Sequence, residues 1–200
     1  MKRDPPLLAM DKSKYYAVNA ITVYRAIAVF ALLYFIKRPD VFKWLLAISF
    51  FTDAIDGFLA RKYKVVSALG ARIDSIADDL TILAAIAGLI VLKPEFIRHE
   101  LVLIIILLSL YLLQNVLAFI RYGRISSFHT YLAKCAAVSQ GVFLILMFFL
   151  PQWPLILFYI SAGLTILDLL EEIVLVLLLP KWETDVKGLY WIKKNRSIAE

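Results

Sequence analysis

The stretch DAIDGFLARKYKVVSALGARIDSIAD, from Asp53 to Asp78, sets four carboxylates at fixed intervals: Asp53 and Asp56 are three apart, Asp74 and Asp78 four apart. On a helix either interval puts both side chains on one face, one turn apart. Two antiparallel helices joined by a short loop would bring the two pairs to one level, on the order of 10 Å or less inside the helix ends at about 1.5 Å per residue. Four converging carboxylates make a hard, all-oxygen donor set that suits Mg²⁺ or Mn²⁺ rather than a thiophilic metal, and neither histidine lies in the stretch. Two such ions a few Å apart can clamp a diphosphate. Around the acids, Gly57 and Gly70 remove side chains where a ligand would approach, Ala60 keeps the next turn small, and Arg61 offers a guanidinium fork for phosphate. A helix pair with buried salt bridges to Arg61 and Arg72 is the plainer alternative, but four acids outnumber those bases.

The elements that must position these residues are apolar. The chain of 200 residues is 62% hydrophobic, well above the roughly 45–50% of an average soluble domain. Six stretches, near 18–36, 41–61, 70–92, 100–121, 131–150 and 155–179, are each long enough to cross a hydrocarbon core of roughly 30 Å. The expected fold is therefore an all-α integral membrane protein of six transmembrane helices. Residues 1–17 are expected to form an interfacial segment rather than a cleavable signal peptide, residues 18–180 the six-helix transmembrane domain, and 181–200 a basic cytoplasmic tail. A charged residue within a span costs roughly 2.5–3.5 kcal/mol on insertion scales, so aspartates kept in this setting call for a compensating cation.

Orientation follows from the basic residues. With both termini on one side, Lys37, Arg38, Lys43, Lys93 and Arg98 fall on the opposite side, Arg25 lies inside the first span, and the other 16 of the 22 Lys and Arg gather on the terminal side. That side should be cytoplasmic. The net charge of +6 then faces lipid headgroups, and no nucleic-acid motif accompanies it. Cys135 is the only cysteine. It permits no internal disulfide and reads as a small buried apolar residue.

Together these positions resemble the CDP-alcohol phosphotransferase (CDP-alcohol phosphatidyltransferase) family, whose D-x2-D-G-x2-A-R-x8-G-x3-D-x3-D signature is matched without departure by Asp53, Asp56, Gly57, Ala60, Arg61, Gly70, Asp74 and Asp78. The segment NAITVYR, Asn19 to Arg25, is similar to the N-x-x-T-x-x-R that precedes the signature in many members, with Val18 where a proline is common. The resemblance implies transfer of a phosphatidyl group from CDP-diacylglycerol or a related CDP-lipid to a small polar alcohol, with release of CMP. It further implies that Asp53, Asp56, Asp74 and Asp78 hold two divalent ions, Mg²⁺ or Mn²⁺. Asp78 would deprotonate the acceptor, and Asn19, Thr22, Gly57, Ala60, Arg61 and Gly70 would contact the cytidine diphosphate. A homodimer in a bacterial or archaeal cytoplasmic membrane, its active site facing the cytoplasm, is expected on the same ground.

The acceptor is written less sharply. Arg121, Arg124, His129 and Lys134 sit at the cytoplasmic junction of the fourth and fifth spans and suit an anionic acceptor, although positive-inside residues gather at any such junction. The Lys134-to-Gln140 stretch is similar to one in glycerophosphate-transferring members, but lacks their second basic residue two positions after Lys134. Glycerol 3-phosphate is the expected acceptor, with inositol phosphate, inositol or another polar alcohol as alternatives. After Asp78 the chain reads DLTILAAIAG rather than the SFG-type continuation of serine-transferring members. A divalent-cation transporter is the alternative of another class. Against it, no acidic path continues through the third span beyond Asp79. Lastly, Asp168, Glu171 and Glu172 share a face of the sixth span, and a buried pairing with Arg25 is expected.

Overall fold

Prolines and a glycine punctuate a fold whose described residues are helical almost throughout. The computed structural model describes the backbone of residues 27–63, 68–124, 128, 130–181 and 186–191, and the side chains of these apart from 53, 54 and 56–79. Among the described residues there is no strand. We label the helices α1 over 27–34, α2 Pro39–Tyr63, α3 Ala68–Leu92, α4 Pro94–His99, α5 Leu101–Tyr122, α6 Tyr131–Phe149 and α7 Leu155–Leu178. Residues 189–191 add a single helical turn.

Local chemistry sets the ends. Pro39 and Pro94 each occupy a first helical position, where the missing N–H has no intrahelical partner to lose. In α4, Glu95 stands in the first turn and Arg98 and His99 in the last, as the helix dipole favours. Gly123 terminates α5 with a left-handed backbone, φ 67°, and its N–H donates to the Phe119 carbonyl at 2.8 Å. Thr130 caps α6 by accepting from the Ala133 N–H at 3.0 Å.

The chain divides into two compact units, one ending at Pro94 and one beginning at Glu95. In the first, α2 packs against α3. The two are joined by only four residues, so they form an antiparallel hairpin. Buried apolar residues of this unit include Phe42 and Leu46 on α2 and Ala84 and Ala85 on α3.

In the second unit α7 packs against both α5 and α6. At one end Phe96 of α4 inserts among Phe143, Trp153 and Phe158, with ring centroids 5.9, 5.7 and 5.0 Å away. Beside it the buried carboxylate of Glu100 accepts from the Tyr159 hydroxyl at 2.7 Å and lies 2.8 Å from His99 Nδ1. At the other end Ala118, Phe128, Leu175, Val176, Leu179 and Val186 form a core on which Leu189 rests. There the Tyr122 hydroxyl lies 3.0 Å from the Val176 carbonyl and 2.9 Å from that of Leu179, to which Arg121 Nε also donates at 3.2 Å. Carbonyls at the end of α7, which have no partner within the helix, thus gain donors from α5.

Among the described residues two helices, α5 and α6, are long and apolar enough to cross a membrane by length and composition. Helix α5 exposes Val102, Ile105, Leu108, Leu112 and Phe119 along its length, a surface suited to acyl chains rather than water. Helix α7 is as long but carries three acids. Cys135 is exposed, not buried as the sequence suggested. The inward face of α6 is taken by Ala136, Phe143, Leu144 and Met147, and on an apolar exterior a thiol is as compatible outside as inside.

Candidate functional site

The α2–α3 hairpin carries the whole signature on its backbone. Asp53, Asp56, Gly57, Ala60 and Arg61 lie on the last three turns of α2, and Gly70, Asp74 and Asp78 on the first three of α3. Their side chains lie outside the described residues, as do Asn19, Thr22, Arg25 and His129 altogether. The helical register is nevertheless definite. At 100° per residue, positions 49, 53 and 56 of α2 fall within about 60° of one another, and so do 74, 78 and 81 of α3. Each acidic pair therefore continues, one turn deeper into its helix, into a hydroxyl residue: Ser49 on α2 and Thr81 on α3.

Both hydroxyl residues are buried, Ser49 at 3% exposure and Thr81 at 4%. The Ser49 Oγ has no hydrogen-bond partner, the only buried side-chain polar atom in that state among the described residues. A neighbour shows how such a hydroxyl is ordinarily satisfied: Thr52 Oγ1 donates back to the carbonyls of Ile48 and Ser49, both at 2.9 Å. An orphaned donor costs about 1–3 kcal/mol unless a ligand completes it. Its place on the stripe of Asp53 and Asp56 fits a site for an oxygen-rich ligand with divalent ions, whose donors would be carboxylate oxygens. Sequence reasoning passed over Ser49, although its spacing from Asp53 was there to be read.

The residues proposed for the acceptor belong to the second unit. Arg121, on the last turn of α5, uses its Nε on α7's terminal carbonyl, as above, and so has a structural task. Arg124 follows the Gly123 turn, and Lys134 lies on the exposed side of α6 with its Nζ 5.6 Å from the Tyr131 ring centroid.

The three acids of α7 have partners that the sequence did not single out. Gln114 Nε2, buried in α5, donates to Glu172 Oε2 at 2.7 Å. The Thr130 hydroxyl lies 3.5 Å from Asp168 Oδ1, and the Leu189 N–H donates to Glu171 Oε1 at 3.0 Å. Further along the α6–α7 seam, Ser139 and Ser161 hydroxyls are 2.6 Å apart, and Gln140 Nε2 donates to Thr165 Oγ1 at 2.5 Å. These contacts run from α7 to α5, to α6 and to the segment after α7, which is a framework role for the acids. The expected partner Arg25 lies outside the described residues.

With this geometry in place, comparison with known proteins is direct. The profile of the CDP-alcohol phosphatidyltransferase family matches residues 15–167. A CDP-diacylglycerol–glycerol-3-phosphate 3-phosphatidyltransferase of Rickettsia typhi is 31% identical over 162 residues, covering 78% of this chain and 85% of that protein. A CDP-diacylglycerol–inositol 3-phosphatidyltransferase of Saccharomyces cerevisiae is 34% identical over 94 residues, 46% of this chain and 42% of the yeast protein. A phosphatidylcholine synthase of Legionella pneumophila is 34% identical over 97 residues, 44% of this chain and 38% of that protein. No solved structure matches.

Proposed function

The chain belongs to the CDP-alcohol phosphatidyltransferase family, a family of phospholipid-synthesising transferases, and from that premise we propose that it moves a phosphatidyl group from CDP-diacylglycerol to glycerol 3-phosphate, releasing CMP. The observation that carries the reaction is the α2–α3 hairpin, on which each aspartate pair occupies a single helix face next to an inward hydroxyl. For the acceptor, support comes from the similarity to the glycerol-3-phosphate enzyme, which extends over most of both chains, whereas the similarity to the inositol enzyme covers under half of each.

In this reading Asp53, Asp56, Asp74 and Asp78 hold two Mg²⁺ or Mn²⁺ ions. Such ions, when bound, neutralise the diphosphate and the charge left on CMP. Asp78 takes the proton of the acceptor hydroxyl while that oxygen forms its bond to the β-phosphorus and the bond from this phosphorus to the CMP oxygen breaks. Asn19, Thr22, Gly57, Ala60, Arg61 and Gly70 receive the cytidine diphosphate, with the glycines and Ala60 admitting it close to the backbone. Arg121, Arg124, His129 and Lys134 are the proposed cations for the acceptor's phosphate. The protein is a six-span membrane enzyme, residues 18–180, with an interfacial segment before it and a basic tail after. It acts as a homodimer with its site toward the cytoplasm and the lipid tails of the donor in the bilayer.

The test is CMP release by purified protein given CDP-diacylglycerol and Mg²⁺, with glycerol 3-phosphate, inositol phosphate, inositol and other alcohols supplied singly beside an Asp78→Asn control. Release with glycerol 3-phosphate, lost in the control, is expected. Release with inositol alone would overturn the acceptor but keep the reaction, and a metal flux without cytidine dependence would overturn the reaction.

A further inference from the structure

We infer that Ser49 is a substrate-positioning residue whose hydroxyl donates a hydrogen bond to the phosphoryl group being transferred. The inference rests on the reading above, that the α2–α3 hairpin binds a CDP-linked lipid, and assigns a residue outside the signature to that site. Two observations carry it. The Ser49 Oγ is buried without a partner, and its position lies on the stripe of Asp53 and Asp56, about 6 Å along the axis from Asp53. A hydroxyl so placed, in a helix whose Thr52 satisfies itself on the backbone, is held ready for an acceptor from outside the chain.

Position along the helix says which acceptor. Arg61, Ala60 and Gly57, which the reading gives to the cytidine diphosphate, lie toward the C-terminus of α2, and the order continues inward through the ion-holding Asp56 and Asp53 to Ser49. A ligand laid along this stripe with its nucleotide at Arg61 brings its lipid-linked phosphate, not its cytidine-linked one, to the level of Ser49. A neutral hydroxyl contributes a directed hydrogen bond to a phosphoryl oxygen without adding to the charge of a site already rich in carboxylates.

The experiment uses the full chain in detergent with Mg²⁺ and measures binding of CDP-diacylglycerol and of CMP, the product that lacks the transferred group, to wild type and to Ser49→Ala. Melting without ligand is recorded for both proteins. Expected are roughly 10-fold weaker binding of CDP-diacylglycerol, unchanged binding of CMP, and ligand-free melting no lower than wild type, because alanine fits the space and removes an unpaired donor. Unchanged affinity for both ligands would overturn the inference and leave Ser49 a packing residue. Equal weakening of both would overturn it in favour of a contact at the nucleotide end. Should the alanine variant fail to fold, Ser49→Cys, which keeps the volume with a poor donor, is read by the same outcomes. Wild type that binds neither ligand would instead refute the premise that this hairpin is a CDP-lipid site.

Discussion

Replacing Gln114 by leucine asks whether the acids of α7 are held by α5. Gln114 is almost wholly buried and donates to Glu172 at 2.7 Å. Leucine has a similar volume, so Gln114→Leu leaves little cavity and mainly deletes the donor. Removing one partner of a buried hydrogen bond to a carboxylate costs about 2 kcal/mol, because the acid stays where it is. For a chain of this length that corresponds to about 4–8 °C in melting temperature. Replacing both partners, Gln114→Leu with Glu172→Leu, removes the acceptor together with its donor, so the double variant should lose less than the two single variants added. The assay is thermal melting of the four proteins of the cycle in one detergent, followed by circular dichroism. If Gln114→Leu melts within 1 °C of wild type, or if the double variant loses as much as the two single variants added, the argument that α5 stabilises the acids of α7 is refuted.

Four further outcomes are expected. Asp78→Asn should lower CMP release by at least about 10²-fold with unchanged melting in the absence of substrate, read by nucleotide assay and calorimetry. Chelation with EDTA should abolish CMP release, and added Mg²⁺ should restore it; activity that survives exhaustive chelation would remove the divalent ions from the mechanism. Gly188 has φ 134°, and a Cβ there would meet Glu171 Oε1 at 3.0 Å, so Gly188→Ala should loosen the segment after α7 by about 1–3 kcal/mol, seen as faster amide exchange at Leu189. Ser161→Ala deletes a neutral hydroxyl pair between α6 and α7 and should cost only about 0.6 kcal/mol, the average for such bonds between membrane helices, a shift of about 1–2 °C.

Helices α2, α3, α5, α6 and α7 fall within two residues of the apolar stretches marked on the sequence. Their length, the prolines and Gly123 write those ends locally, and apolar runs of this length have little else to become. Helix α4 was not legible, because the six residues from Pro94 to His99 are too few to show a periodicity. Pro39, which lies between the first two apolar stretches, starts α2; a proline ends one helix or begins the next, and sequence alone does not say which. At the site, the spacing of the four aspartates was legible because it is local to two helices. The partners of Asp168, Glu171 and Glu172 were not, since Thr130, Leu189 and Gln114 lie 38, 18 and 58 positions away and meet them only through packing. Ser49 escaped notice for another reason: a serine in a helix means little until its hydroxyl is found buried and alone.

The three acids of α7 also bear on how the protein is made. Sixteen of the 24 residues of α7 are Leu, Ile, Val or Phe; at about 0.3–0.6 kcal/mol each they favour membrane insertion by about 5–10 kcal/mol. Three acids at roughly 2.5–3.5 kcal/mol each near a helix centre oppose it by about 8–10 kcal/mol. On the six-span reading α7 alone is thus poised between bilayer and water when it reaches the translocon. The residues that receive two of its acids, Gln114 for Glu172 and Thr130 for Asp168, precede it in the chain and are synthesised first, whereas the Leu189 N–H that receives Glu171 follows it. If the six-span proposal holds, the last helix enters the bilayer as a guest of α5 and α6, and a defect at Gln114 would surface during biogenesis, as a polypeptide left half-inserted, before any lipid is made.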